Sequence, residues 1–249
     1  MIPTSYYTYE TAVAYPDVGA DYRLNHRGLL RILQEAAAIA SDECGFGPKD
    51  VPRSGVCWVL TAWRVELTER SLWRSEVAVR TWPRSLEGFA SERDFEVFCQ
   101  GRRIARGTSR WFLVNAATGR IARVTGLVRS AYDLEERAVF DTPARTNGRS
   151  GPGAQLACAV QVGRRDIDTN RHVNNIHYLD YALEALPQEV FDHLPDTVEV
   201  VYRRQILLGA AIRCLYSVTE DGQHQVEIQS GQGDDLVRHA FVWFYGQSG

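Results

Sequence analysis

Ten consecutive residues, from Asp166 to Asn175, hold one imidazole (His172), two carboxylates (Asp166, Asp168) and three side-chain amides (Asn170, Asn174, Asn175). An imidazole beside an aligned carboxylate and amide positions a water molecule and removes its proton. Hydrolysis is therefore the chemistry this set could perform. An extended approach would alternate side chains between faces and put Asp168, Asn170 and His172 on the same side. Helix capping and turn formation compete as the explanation, since Asp, Asn and Thr favour such places for local reasons. A cap is the better reading of Asn174 or Asn175 alone. Chemistry is the better reading of the three together with His172.

A helix must position this set. Beyond His172, apolar residues fall at Ile176, Leu179, Leu183 and Leu186, with Ala182 between them, which is the spacing of one helical face. The first backbone N–H groups of such a helix have no intrahelical partner. Together with the positive end of the dipole they suit an anion, or a carbonyl oxygen gaining charge.

These residues also carry a resemblance. The stretch DIDTNRHVNNIHYLDYALEALPQEV resembles the C-terminal motif of the plant-type acyl-ACP thioesterases, in which Asp-x-Asn-x-His-Val-Asn-Asn opens the second hot-dog helix. Val198 to Arg204 resembles that family's Tyr-Arg-Arg strand, and Leu33-Gln34-Glu35-Ala36-Ala37 and Trp58-Val59-Leu60 extend the likeness into the first half. The resemblance implies an α+β fold of two tandem hot-dog modules, each a long buried helix wrapped by an antiparallel sheet. It also implies hydrolysis of a thioester between a fatty acyl group and the phosphopantetheine arm of acyl carrier protein. Asp168, Asn170 and His172 match the family's catalytic Asp, Asn and His. His172 would be the acid/base, Asn170 would orient the thioester or water, and Asp168 would hold both in register. Backbone N–H groups of Val173 and Asn174 would stabilise the oxyanion, a contribution worth about 3 kcal/mol per donor. No cofactor or metal is implied.

One position departs from the family. Its strand runs Tyr-Arg-Arg-Glu-Cys, whereas this chain has Tyr202-Arg203-Arg204-Gln205-Ile206. Gln205 cannot take a proton, though it can hydrogen-bond water, and Ile206 cannot act as a nucleophile. The base role therefore passes to His172 or Asp168, with Gln205 left to position water.

Elsewhere the chain reads as two passes through one order of elements. Residues 6–13 suggest a strand, and residues 29–40 a broadly apolar helix of the kind a sheet wraps around. Strand-like runs follow at 57–67, 76–82, 88–99 and 103–114. Residues 126–155 are polar and read as a linker between a first module (1–125) and a second (156–249). In the second, a strand (157–165) and the motif helix precede strands at 197–203, 211–220, 223–230 and 236–245. Asn25-His26 faintly echoes Asn170-Arg171-His172 without the carboxylate, so the first module reads as scaffold and acyl-pocket supplier.

The chain has 249 residues, 45% of them hydrophobic, and a net charge of −3. That length can bury a core, and that charge gives no reason to propose nucleic acid as a partner. Almost all cations are arginine, Lys49 being the only lysine. Arginine pairs grip carboxylates and phosphates, so Arg203-Arg204 and similar pairs could face an acidic carrier protein. The five cysteines are widely spaced, without a CxxC, and suggest neither disulfides nor zinc. With no signal-peptide pattern and no apolar run long enough to span a bilayer, the expected location is the cytoplasm. Strand edges in this fold often pair between subunits, so a homodimer is an open expectation. Two other functions compete: an acyl-CoA thioesterase of the same fold, and a non-catalytic acyl-binding module marked by Gln205.

Overall fold

The structure, a computed structural model, describes residues 6–248. The outermost residues of the two expected modules, 1–5 and 249, lie outside it. Two compact units result, Met1–Ala144 and Arg145–Gly249. In the first, strand β1 (Tyr7–Ala12) precedes helix α1 (His26–Glu43) and a short helix α2 (Val51–Ser54). Strands β2 (Val56–Leu67), β3 (Glu76–Glu87), β4 (Ala90–Cys99) and β5 (Arg102–Asn115) follow, then α3 (Gly126–Ser130). Its sheet is antiparallel in the order β1-β3-β4-β5-β2. The second unit has β6 (Gln155–Gln161), α4 (Asn175–Leu183), α5 (Gln188–Asp192), β7 (Pro195–Tyr202), β8 (Ala211–Val218), β9 (His224–Ser230) and β10 (Val237–Ser248). Its antiparallel order is β6-β8-β9-β10-β7. Each unit thus places the strand before its helix at one edge and the strand after it at the other. The expected α+β fold of two hot-dog modules is what the chain forms.

Helix α1 buries Leu29, Leu30, Ile32, Leu33, Ala36, Ala37 and Ala40. It starts three residues before that apolar stripe because Asn25 caps it, its side-chain oxygen accepting the Gly28 N–H at 2.8 Å. A Cβ at Gly28 would lie 2.3 Å from the Asp17 carbonyl oxygen, so only glycine lets the helix begin against the preceding turn. Asp17 is fully buried, and Arg31, in the second turn of α1, grips its carboxylate with two donors.

Two expectations need correction. Helix α4 spans nine residues against eighteen in α1, so only the first module has a long helix. The stretch to Leu186 continues as tight turns, Ala185 N–H to Ala182 O (3.1 Å) and Leu186 N–H to Leu183 O (3.2 Å), because Pro187 disfavours the helical conformation before it. Nor do residues 126–155 run free of the core. Val128 and Tyr132 pack with Leu86 and Leu113, and Val139 and Phe140 pack on Trp82. From Arg145 onward the chain lies on the outer face of the second sheet. Arg145 pairs with Glu199, Arg149 O accepts from the Gln225 amide at 2.8 Å, and Gly148 sits where a Cβ would strike Phe241. The apolar anchors are too few and too widely spaced to show a period in so polar a stretch.

Breaking the Asp17–Arg31 pair from the arginine side leaves a buried carboxylate uncompensated. Arg31→Met should lower unfolding stability in urea by about 3 kcal/mol, and adding Asp17→Asn should restore part of it. A single-variant loss below about 0.5 kcal/mol would show the pair to be dispensable.

Candidate active site

The segment carrying the polar set is not extended. It folds back on itself, with Ile167 and Val173 forming an antiparallel bridge. Asp168 N–H donates to His172 O at 2.9 Å and Arg171 N–H to Asp168 O at 3.1 Å. Arg171 closes the reversal at φ 65°, a left-handed conformation that costs a residue with a side chain about 1–2 kcal/mol. A tight turn, rather than strand alternation, therefore gathers Asp168, Asn170 and His172. Asp168 Oδ1 accepts the Asn170 N–H at 2.8 Å, and its Oδ2 accepts the Asn170 amide at 3.4 Å. His172 Nδ1 stands 3.9 Å from Asp168 Oδ1 and 3.3 Å from Val173 O. A carbonyl only accepts, so this contact places a proton on Nδ1. The His172 side chain is 27% exposed and that of Asp168 17%, which leaves them sheltered yet reachable.

The expected oxyanion donors are already committed. Val173 N–H bonds to Ile206 O and Asn174 N–H to Asp166 O, each at 2.9 Å, so neither is free for a substrate oxygen. The Asn174 side chain is a cap, accepting the Ile176 N–H at 3.0 Å. The Asn175 N–H, at the first helical position, makes no hydrogen bond within the described residues. It is the donor that remains.

Gln205 reaches the site through backbone pairing. The Val173–Ile206 hydrogen bond lays residues 203–206 beside the turn. Tyr178, from α4, holds that segment at two points: its hydroxyl accepts the Ile206 N–H at 3.1 Å and donates to Arg204 O at 3.3 Å. Burial pushes the Tyr178 phenol up, and the charge of Asp168 adds to this, so it stays neutral. His239, on β10, donates from Nδ1 to Arg204 O at 3.2 Å and accepts at Nε2 from the Ser230 hydroxyl at 2.8 Å. Burial lowers its pKa and favours that neutral tautomer. Sequence reasoning missed both supports. Tyr178 lies off the apolar stripe used to read the helix, and His239 has no neighbouring pattern in the chain. The Gln205 side chain is exposed and borders a cavity of about 1220 Å³ whose walls include Arg149, Arg203, Arg204 and Arg238. Leu207, Leu236, Val237 and Phe241 stand among those arginines, so the walls combine fixed charge with apolar surface.

The first unit contains the same turn with other residues. Val18 bridges Leu24, Gly19 N–H donates to Arg23 O at 2.9 Å, Tyr22 N–H donates to Gly19 O at 3.0 Å, and Tyr22 has φ 58°. Asn25 N–H donates to Asp17 O at 3.1 Å and its side chain caps α1, as Asn174 does for α4. Asn25 therefore corresponds to Asn174, not to Asn170 as the sequence suggested. Gly19, Asp21 and Arg23 stand in the positions of Asp168, Asn170 and His172. The first turn keeps the geometry and lacks the imidazole.

Comparison with known proteins places these modules. Residues 4–132 match the family described as the acyl-ACP thioesterase N-terminal domain, and residues 152–244 match its C-terminal domain. The chain belongs to the acyl-ACP thioesterase family. Oleoyl-acyl carrier protein thioesterase 2 of Arabidopsis thaliana is 28% identical over 76% of this chain and 56% of its own. An acyl-ACP thioesterase from Bacteroides thetaiotaomicron superposes with a TM-score of 0.84 at 22% identity, covering 96% of this chain and 97% of that one. The 12:0-ACP thioesterase from Umbellularia californica gives 0.79 at 19%, covering the whole of both chains. The chain spans a little over half the length of the first curated relatives it matches. Among the described residues, no helix is long and apolar enough to cross a membrane, and no group of His, Cys, Asp and Glu is arranged to hold a metal ion.

Tyr178→Phe removes the hydroxyl and leaves the Ile206 N–H buried without an acceptor. The variant should lose about 1–3 kcal/mol in denaturant unfolding. Unchanged stability would mean that another group takes that N–H.

Proposed function

We propose that this protein hydrolyses the thioester of an acyl chain carried on acyl carrier protein, releasing the free fatty acid. The observation that carries this reading is the closed turn, in which one carboxylate fixes an amide and lies beside an imidazole whose Nδ1 faces a backbone carbonyl. His172 Nε2 takes the proton of the attacking water and returns it to the departing thiolate. Asn170 orients the water or the thioester carbonyl. Asp168 anchors Asn170 and stabilises the imidazolium that forms transiently. The Asn175 N–H, at the positive end of α4, is the donor for the developing oxyanion. Gln205 holds the water without deprotonating it. Family membership and the names of the relatives, thioesterases and hydrolases of acyl-ACP, support the substrate class.

Incubation with acyl-ACP and acyl-CoA of several chain lengths, followed by quantification of free acid, tests the proposal. Acyl-ACP should be hydrolysed with the higher kcat/KM. Preference for acyl-CoA would reassign the carrier, and binding without release would make the protein an acyl-binding module. His172→Ala and Asp168→Ala should each lower kcat by about 10²–10⁴-fold while unfolding at the wild-type denaturant concentration. Near-normal turnover in both would remove the assignment. Gln205→Glu should keep or exceed wild-type activity, and a folded but inactive variant would show that the amide does something a carboxylate cannot.

A further inference from the structure

The cavity beside Gln205 gathers positive charge that the hydrolytic turn does not use. It is bounded by Arg149 on the segment crossing the second sheet, by Arg203 and Arg204 after β7, and by Arg238 on β10, with Leu207 and Leu236 as apolar wall. No carboxylate lines it. Arg238 has a counter-charge, its Nε lying 3.0 Å from Oε1 of the buried Glu227 without the geometry of a hydrogen bond. Among the described residues, the side chains of Arg149, Arg203 and Arg204 make no ion pair or hydrogen bond. All three are exposed, whereas Arg145 and Arg84, which are less exposed, are matched by Glu199 and Glu92. Guanidinium groups never lose their charge in a protein, so three of them around one concavity give it a fixed positive potential that favours an anion.

The place of this basin indicates which anion. Arg203 and Arg204 precede Ile206, whose carbonyl holds the Val173 N–H next to His172. Three residues of chain span at most about 10 Å, so the basin and the turn are neighbours. A thioester arriving at His172 brings its carrier with it, and a pantetheine arm ends in a phosphodiester next to a dimethyl carbon. Planar guanidinium forks suit that phosphate, and Leu207 and Leu236 suit the methyl groups. We infer that Arg149, Arg203 and Arg204 form a subsite for the phosphodiester of the carrier protein's phosphopantetheine arm, holding that end while the sulfur end lies at His172. The inference rests on the proposed thioester substrate, yet it can be tested without turnover.

Calorimetric titration of the full chain with 4′-phosphopantetheine and with pantetheine isolates the phosphate. The phosphorylated compound should bind about tenfold more tightly, the effect of one charge-assisted contact. That advantage should vanish in Arg203→Gln/Arg204→Gln and, from a separate segment of chain, in Arg149→Gln. In both variants KM for acyl-ACP should rise by about tenfold, while hydrolysis of an acyl N-acetylcysteamine thioester, which has no phosphate, stays at the wild-type rate. Equal binding of the two compounds by the wild-type chain overturns the subsite, as does an equal loss on both thioesters. CoA that binds and acyl-CoA that is hydrolysed at least as well as acyl-ACP would overturn the choice of a protein carrier. Arginine-dependent phosphate binding in a protein that hydrolyses no thioester would sink the proposed function and leave the subsite standing.

Discussion

One backbone hydrogen bond, from Val173 N–H to Ile206 O, joins the two stretches of chain that the proposed chemistry uses. On one side of it lies the turn of Asp168, Asn170 and His172. On the other lie Gln205 and the paired arginines before it. No covalent feature keeps residues 203–206 in place, so their position depends on groups that saturate their backbone. Tyr178 takes the Ile206 N–H and gives to Arg204 O, and His239 gives to the same carbonyl. Buried backbone groups without partners cost on the order of 1–3 kcal/mol each. That penalty disfavours displacement of residues 203–206 from the turn.

The two modules build one turn twice with different side chains. Both close the same turn with the same backbone hydrogen bonds, and both put a non-glycine residue at positive φ at its tip. Both cap the following helix with asparagine. The differences lie in the side chains that this shared backbone presents: Gly19, Asp21 and Arg23 in the first, Asp168, Asn170 and His172 in the second. Their buried aspartates differ too. Asp17 has Arg31 against it from the helix, while Asp166 accepts the Gly163 N–H at 2.8 Å and has Tyr181 nearby, whose phenol burial and that carboxylate push up. The first module sets a helix arginine against its buried charge, whereas Asp166 has Arg165 Nε at 3.6 Å from the preceding turn.

Much of this was legible in the residues, and the limits have physical causes. The strands announced themselves because Val, Thr and aromatic side chains alternate, and α1 because its apolar face is broad. The set at 168–172 stood out in the sequence because so many polar residue types fall together, and the structure gathers them in one turn. Its geometry did not, since a tight turn closed by Asp168 N–H and His172 O leaves no period in a sequence. The same holds for the free backbone donor at the start of α4. Val173 and Asn174 looked free at a helix start, but long-range pairing to Ile206 O and Asp166 O uses them, and only Asn175 N–H remains. Tyr178 and His239 support the site from residues distant in sequence, which spacing cannot report.

In the proposed mechanism His172 presents a lone pair at Nε2 to an incoming thioester, fixed by donation from Nδ1. Imidazole 15N spectra of His172, free and with a non-hydrolysable thioether analogue of acyl-pantetheine, test it most directly. At neutral pH the ring should be the Nδ1–H tautomer, and its Nε2 resonance should move when the analogue binds. An Nε2–H tautomer, or a ring whose spectrum ignores the analogue, would contradict the account.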